Sequence, residues 1–307
     1  MQAQDVGEGT ITYKSPSKKF MDITIHSYNG LPRIGEVYFI RGVTPPTNQK
    51  AFNVLLQLKY MEKAYADMDK NKLTTYEEGR SGDKKLQHSF AAQNHLLTLA
   101  KELCTKEELE KYFGPEKQAK SSSYGYNKNA NAQRLNFWGG DRNNEFAQQR
   151  AYTSFVKNNL ADLQAWSQRF FEGDTQTAYM INIARVAESY DFQKKGYWIR
   201  INLGGGALLI DQLRFTPFDQ DQQTVIRKKL LMPMAPEEAK KYAFRKQNAI
   251  KILSKVTVSY DKEYSTNNSK PAFSFELENP IIEVYNKGRT LTEKIGEINL
   301  EKALAKY

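Results

Sequence analysis

Hydrophobic positions follow one spacing before residue 175 and another after it. In the first part they recur every three or four residues, as on one face of a helix. In the second they form short runs rich in β-branched and aromatic residues, bounded by turn formers, as in strands. From Thr47 to about Met68 the helical stripe is Val54, Leu58, Met61, Tyr65 and Met68. A second helix is expected from Asp83 to Cys104, and Thr105-Lys106-Glu107-Glu108 is a capping box opening a third that stops before Gly114-Pro115. A long helix should cover about Asn144 to Phe171, with Phe155, Leu160, Leu163, Trp166 and Phe170 inward and Gly173 at its C-cap.

The N-terminus departs from this helical character. Thr10–Lys14 and Met21–Ser27 read as strands, the second because apolar and polar residues alternate from Met21 to His26. His26 then shares a solvated face with Asp22 and Thr24. Asn29-Gly30 is a hairpin signal, and Glu36–Arg41 is the expected returning strand. Beyond residue 175 strands are expected at Tyr179–Val186, Tyr197–Leu203, Ala207–Phe215, Val225–Met232, Ile250–Tyr260, Ala272–Glu278, Ile281–Tyr285 and Lys294–Leu300. One short helix, Pro236–Phe244, interrupts them, with Pro236 in its first turn. Strands grouped after helices, without βαβ alternation, indicate an α+β fold with a mostly antiparallel sheet. Residues 1–175 form a hairpin plus helices and 176–307 a β-rich region, as two units or one continuous domain.

Composition agrees with a folded chain: 307 residues, 40% hydrophobic and 12% aromatic, provide ample core. No run of apolar residues is long enough for a membrane helix. The formal charge of +10 and pI near 9.3 favour acidic partners, yet the lysines are spread along the chain with no dense tract. A lone cysteine, Cys104, excludes an intramolecular disulfide and a thiolate metal cage. Met-Gln-Ala-Gln-Asp at the start lacks the features of a signal peptide and resembles a mature end left by signal cleavage. The expected location is therefore periplasmic or secreted.

The candidate chemistry is sparse. Gly204-Gly205-Gly206 lacks the third glycine and following helix of a dinucleotide fingerprint, so it reads as a tight reversal between Tyr197–Leu203 and Ala207–Phe215. His88 and His95 share a helix face but lie about two turns, ~10 Å, apart, too far to ligate one ion. Cys104 reads as a small buried hydrophobe. Ser15-Pro16-Ser17-Lys18 has the Ser-x-x-Lys spacing without its partner motifs. Glu77-Glu78 and Asp219-Gln220-Asp221 are carboxylate pairs in expected turns. No catalytic residue, metal site or cofactor is assigned.

One stretch has binding character. Pro115 to about Asn136 is polar and aperiodic, and around it Tyr124, Tyr126, Lys128, Arg134 and Trp138 interleave aromatics with cations. Such sets stack on sugars or bases and hold phosphates. For Trp138 the competing role is to staple the loop onto the core at the entry of the long helix.

Several short series also resemble a family of exported bacterial proteins grouped as a domain of unknown function. They are Asn144-Glu145-Phe146 with Arg150 and Phe155, Tyr190-Asp191-Phe192 before Gly196-Tyr197-Trp198, and Leu231-Met232-Pro233-Met234 before Glu237-Glu238-Ala239 and Ile250–Tyr260. The resemblance covers roughly the C-terminal two-thirds, implies an envelope or secreted location, and carries no catalytic residue. Read physically, Phe146, Phe155 and Trp166 should pack the long helix on the sheet. Arg150 should pair with Glu145 or cap a carbonyl, and the aromatics of Tyr190-Asp191-Phe192 should face inward. The function expected from all this is a non-enzymatic binding or scaffolding module that meets another protein or an envelope component. The alternatives are a binder of anionic polymer (nucleic acid, acidic glycan or lipid head groups) through the aromatic loop, and a hydrolase whose carboxylates converge from distant segments.

Overall fold

A computed structural model describes residues 7–35, 47–65, 84–116, 133–171, 173–203, 213–216, 226–260, 273–287 and 291–304. The chain is α+β, with helices packed on a large, mostly antiparallel sheet. Its centre is one long antiparallel pair, β4 (Thr175–Val186) and β8 (Ala249–Tyr260), in register from Thr175 opposite Ser259 to Arg185 opposite Ala249. Both strands carry apolar residues on both faces, the pattern of a strand covered on two sides.

The sheet divides on each side of this pair. On the β4 edge, β3 (Leu31–Gly35) pairs in parallel at Tyr179–Ile181, and β5 (Gly196–Leu203) pairs antiparallel at Arg185 and Val186. On the β8 edge, β10 (Ile281–Tyr285) pairs at Lys251–Leu253, and β9 (Phe273–Leu277) at Val256–Tyr260. β1 (Glu8–Tyr13) and β2 (Ile23–Tyr28) continue outward from β3, β7 (Ile226–Pro233) from β5, and β11 (Lys294–Asn299) from β10. β6 (Leu213–Thr216) joins β9 in parallel.

Several sequence expectations change in detail. The hairpin at Asn29-Gly30 forms, with both residues at positive φ (47° and 77°), but its returning strand is β3, beginning at Leu31. A two-residue turn of this type leaves no room for a longer loop. The expected strand Glu36–Arg41 lies outside the described residues. The N-terminal strands are not a separate hairpin, because β3 ties them to the same sheet as β4. Gly204–Gly206 also lies outside the described residues. β5 and β6, which were to flank it as neighbours, pair instead with β4 and β7 and with β9.

Helix α1 (Thr47–Tyr65) is buried on nearly every side: Phe52, Leu55, Leu56, Leu58 and Met61 are each at most 2% exposed. A single apolar stripe understates this, since the helix lies between the sheet and α2 (Lys84–Leu103) and α4 (Glu145–Ser167). Lys59, also buried, has its ammonium bonded to the Gly173 carbonyl at 2.6 Å and to Glu62 at 3.2 Å. A buried ammonium without such acceptors would cost several kcal/mol.

The cap of α3 (Lys106–Phe113) is half the expected box. Thr105 accepts from the Glu108 backbone at 3.4 Å, but Glu108 does not reach back. Its carboxylate is drawn into the core, where it accepts from the Tyr112 hydroxyl at 2.8 Å and the Asn159 amide at 3.3 Å. The Thr105 N–H bonds to the Lys19 carbonyl instead. Asn144 caps α4 by accepting from the Ala147 N–H at 3.0 Å. That helix ends at Ser167, and Gly173 stands beyond an intervening turn; it does not cap the helix. Phe155 and Trp166 are fully buried, whereas Phe146 is 78% exposed. Phe146 occupies the first turn of α4, away from the sheet, while Arg150 caps its carbonyl. The turn at Tyr190-Asp191-Phe192 is likewise only partly inward: the Tyr190 hydroxyl bonds to the Met234 carbonyl, and Phe192 is 77% exposed. Helix α5 (Pro236–Tyr242) starts on its proline, and α6 (Leu300–Leu304) follows β11 directly. Among the described residues no helix is long and apolar enough to cross a membrane.

His95 of α2 is packed against Tyr60 and accepts or donates one bond with the Tyr65 hydroxyl at 3.0 Å. Burial lowers its pKa to about 3, against the weaker opposing pull of the Gln57 backbone. Below pH 6.5 the unfolded chain therefore takes up a proton that the native chain refuses down to about pH 3. Stability from this residue is complete above pH 6.5 and declines between those limits. From pH 7 to 4.5 the wild type should lose about 2–3 kcal/mol more than His95→Gln, read by urea unfolding. An equal loss in both proteins would contradict the assignment.

Candidate functional site

Alternation along β4 and β8 gives the central pair two different faces. Ala178, Met180, Ala184, Ile250, Ile252, Val256 and Val258 point into the main core beneath the helices. Tyr179, Ile181, Leu253 and Lys255 point the other way, with Tyr179 opposite Lys255 and Ile181 opposite Leu253. On β10 the same parity sends Val284 to the core and Glu283 and Tyr285 to the far face. There Ile181, Leu253, Tyr285 and Leu291 form a second, smaller apolar cluster, packed by Tyr28 and Tyr179.

A cleft of about 260 Å³ opens over this cluster. Leu253 and Lys255, the aromatic side chains of Tyr28, Tyr179 and Tyr285, and the carboxamides of Asn29 and Asn279 are among the residues that line it. Tyr28 and Tyr179 meet edge to face, with ring centroids 5.1 Å apart. The hydroxyls of Tyr28 and Tyr285 meet at 3.3 Å, although β2 and β10 lie on opposite sides of the β4–β8 pair. Two tyrosines can span that gap because each extends over the small cluster from its own edge. The β10–β11 connection is tied to the same face: Glu8 of β1 accepts from the Leu291 N–H at 3.3 Å and pairs with Arg33.

Two tyrosines and both carboxylates of the cleft are connected in one chain through Lys294 beside it. Tyr285 donates to Glu283 at 2.9 Å, which leaves Tyr28 as the donor in the tyrosine pair. Lys294 bonds to Glu283 at 2.8 Å and to Glu297 at 2.5 Å, so one ammonium bridges two carboxylates that face each other across β10 and β11. Burial first, then the bonds to Tyr28 and Glu283, pushes the Tyr285 hydroxyl well above the ordinary tyrosine range. It stays a donor. The bonds to Glu283 and Glu297 raise the Lys294 pKa, keeping it charged.

The residues singled out in the sequence lie elsewhere. Tyr124, Tyr126 and Lys128 are outside the described residues, as are Glu77, Glu78, Asp219 and Asp221. Trp138 is a core residue: it is 3% exposed, stacks on Phe113 at 5.3 Å, and donates from Nε1 to the Gln93 carbonyl at 3.2 Å. Arg134 is 6% exposed and donates to the Gly114 carbonyl. Arg134 also packs beside Gly140, where any Cβ would collide with the Phe113 carbonyl and crowd the Arg134 side chain. Both therefore hold the chain in place, and neither offers a surface to a ligand. Cys104 is buried, and burial, with a smaller contribution from Glu108, raises its thiol pKa to about 12. It is a poor nucleophile. Among the described residues no group of three or more His, Cys, Asp or Glu side chains is placed to hold a metal ion.

The cleft residues carried little sequence signal. Tyr28, Tyr179, Glu283 and Tyr285 come from strands far apart in the chain, and only the pairing register puts them together. The one available hint was that Tyr179, Ile181 and Leu253 add a second apolar face to strands that already have one.

Comparison with family models, with characterised proteins and with solved structures found no match.

Because Tyr28 and Tyr285 share one bond, their removal should not be additive. Tyr285→Phe should cost about 1–2 kcal/mol, since it strips partners from both Glu283 and Tyr28. Tyr28→Phe should cost less, and in the double variant the Tyr28 change should add almost nothing. Chemical unfolding of the four proteins measures this; strict additivity would show that the two hydroxyls do not interact.

Proposed function

We propose that this chain is a non-enzymatic binding module of an exported bacterial protein, and that the tyrosine-walled cleft is its recognition surface. One observation carries the reading: both carboxylates of the cleft and two of its tyrosines are already bonded in one chain from Tyr28 through Tyr285 and Glu283 to Lys294 and Glu297. Groups engaged in this way present a fixed array of donors and acceptors, which suits recognition. Tyrosine walls favour recognition, since each ring offers an apolar body and a polar tip at low entropic cost. The partner is another protein or an envelope component. The likeness of Asn144–Phe155, Tyr190–Trp198 and Leu231–Tyr260 to exported bacterial proteins supports the envelope or secreted setting.

The test is turnover. Nitrophenyl glycosides, esters and phosphates incubated with the wild type should release no chromophore above the blank, and Glu283→Gln with Glu297→Gln should change nothing. Hydrolysis that falls about 100-fold or more in Glu283→Gln would identify a working acid–base group and reject the proposal.

A further inference from the structure

We infer that the cleft is a subsite for a single neutral saccharide ring, a conclusion that rests on the binding reading above and gives it a ligand class. The first argument is charge. Lys255, Glu283 and Glu297 line the cleft, and Lys294 beside it holds both carboxylates. The two lysines and two glutamates cancel, so a neutral hydroxyl-bearing molecule meets donors and acceptors at a site of no net charge.

The second argument is the arrangement of apolar and polar surface. Leu253 and Ile281 are aliphatic, and the rings of Tyr28 and Tyr179, packed edge to face at 84°, add aromatic surface to the same lining. A pyranose has the same split character: a C–H face that packs on an aromatic ring and a rim of hydroxyls. The rim meets Lys255 and two carboxamides. Asn279 accepts from the Ile281 N–H with its side-chain carbonyl at 3.1 Å, which fixes its NH₂ group as the outward donor. Asn29 sits in the two-residue turn beside Tyr28, so its amide is carried by a rigid element.

Size is the third argument. Sites for drug-sized ligands run to roughly 300–1,000 Å³, and 260 Å³ falls just below them, on the scale of one sugar ring. With so small a contact, affinity should be in the millimolar range, about −4 kcal/mol.

Saturation-transfer NMR on the whole chain tests the assignment, with glucose and N-acetylglucosamine as neutral probes at about 10 mM and glucuronate and glucosamine as charged analogues of the same ring. The expected result is transfer to ring protons of a neutral probe, weaker transfer to both charged analogues, and a drop of about fivefold or more in Tyr179→Ala. Asn29→Gly should also weaken the signal; glycine keeps the positive φ of the turn, so an unchanged melting temperature in that variant excludes unfolding as the cause. Absence of transfer from both neutral probes, equal transfer in Tyr179→Ala, or a preference for glucuronate would overturn the inference. Turnover separates the two proposals: a sugar that is bound and cut supports this site and rejects the non-enzymatic reading. Failure to bind any neutral sugar, without turnover, rejects this site alone.

Discussion

The ladder between β4 and β8 is the constraint on which the rest of the structure depends. Along it, each residue's parity decides its environment. Even positions such as Met180, Ala184, Ile252 and Val256 join the core under the helices, while Tyr179, Ile181, Leu253 and Lys255 occupy the opposite face. A slip of one residue would exchange the two sets, driving Lys255 and Tyr179 under α1 and exposing the core. Burial of isoleucine and valine, worth about 1.5–3 kcal/mol each, therefore fixes the register, and the register places the cleft.

The ladder also explains why the sheet branches. β4 and β8 are 12 residues each, while β3 and β10 have only five, so one partner cannot cover a whole edge. Each edge is shared: β3 and β5 along β4, β10 and β9 along β8. At the end where β5 and β10 attach, the sheet curls until β7 and β11 pack together, with Gly296 against the Met232 thioether. Tyr28 and Tyr285 bridge the far face between the two branches, and the cleft is the space their bridge leaves.

What the sequence revealed follows the range of the interactions involved. Several local signals held: the Asn29-Gly30 turn, the Thr105 cap and Pro236 at the start of α5 each depend on neighbours within a few residues, although Gly173 does not cap α4. Tertiary context overrode local reasoning where a side chain had a distant partner. Glu108 leaves its cap for Tyr112 and Asn159, and α1 is buried on nearly every side because elements around it cover it. Phe146 and Phe192, apolar residues taken to face inward, are exposed. The aromatic and basic signature near Trp138 was legible as a pattern, but Trp138 and Arg134 are packing residues, since an aromatic beside a cation fits core and surface equally well. The cleft was illegible because its residues meet only through strand register, which no local pattern encodes.

Native-state hydrogen exchange tests most directly whether the β4–β8 ladder anchors the molecule. Amides of Ala178–Ala184 and Ile250–Val258 should exchange only through global unfolding, with the denaturant dependence of the whole chain, while those of α3 and α5 open earlier. If the ladder amides exchanged by local opening while β5 and β7 stayed protected, the long central pair would not be the element that sets the register, and the two-faced account would fail.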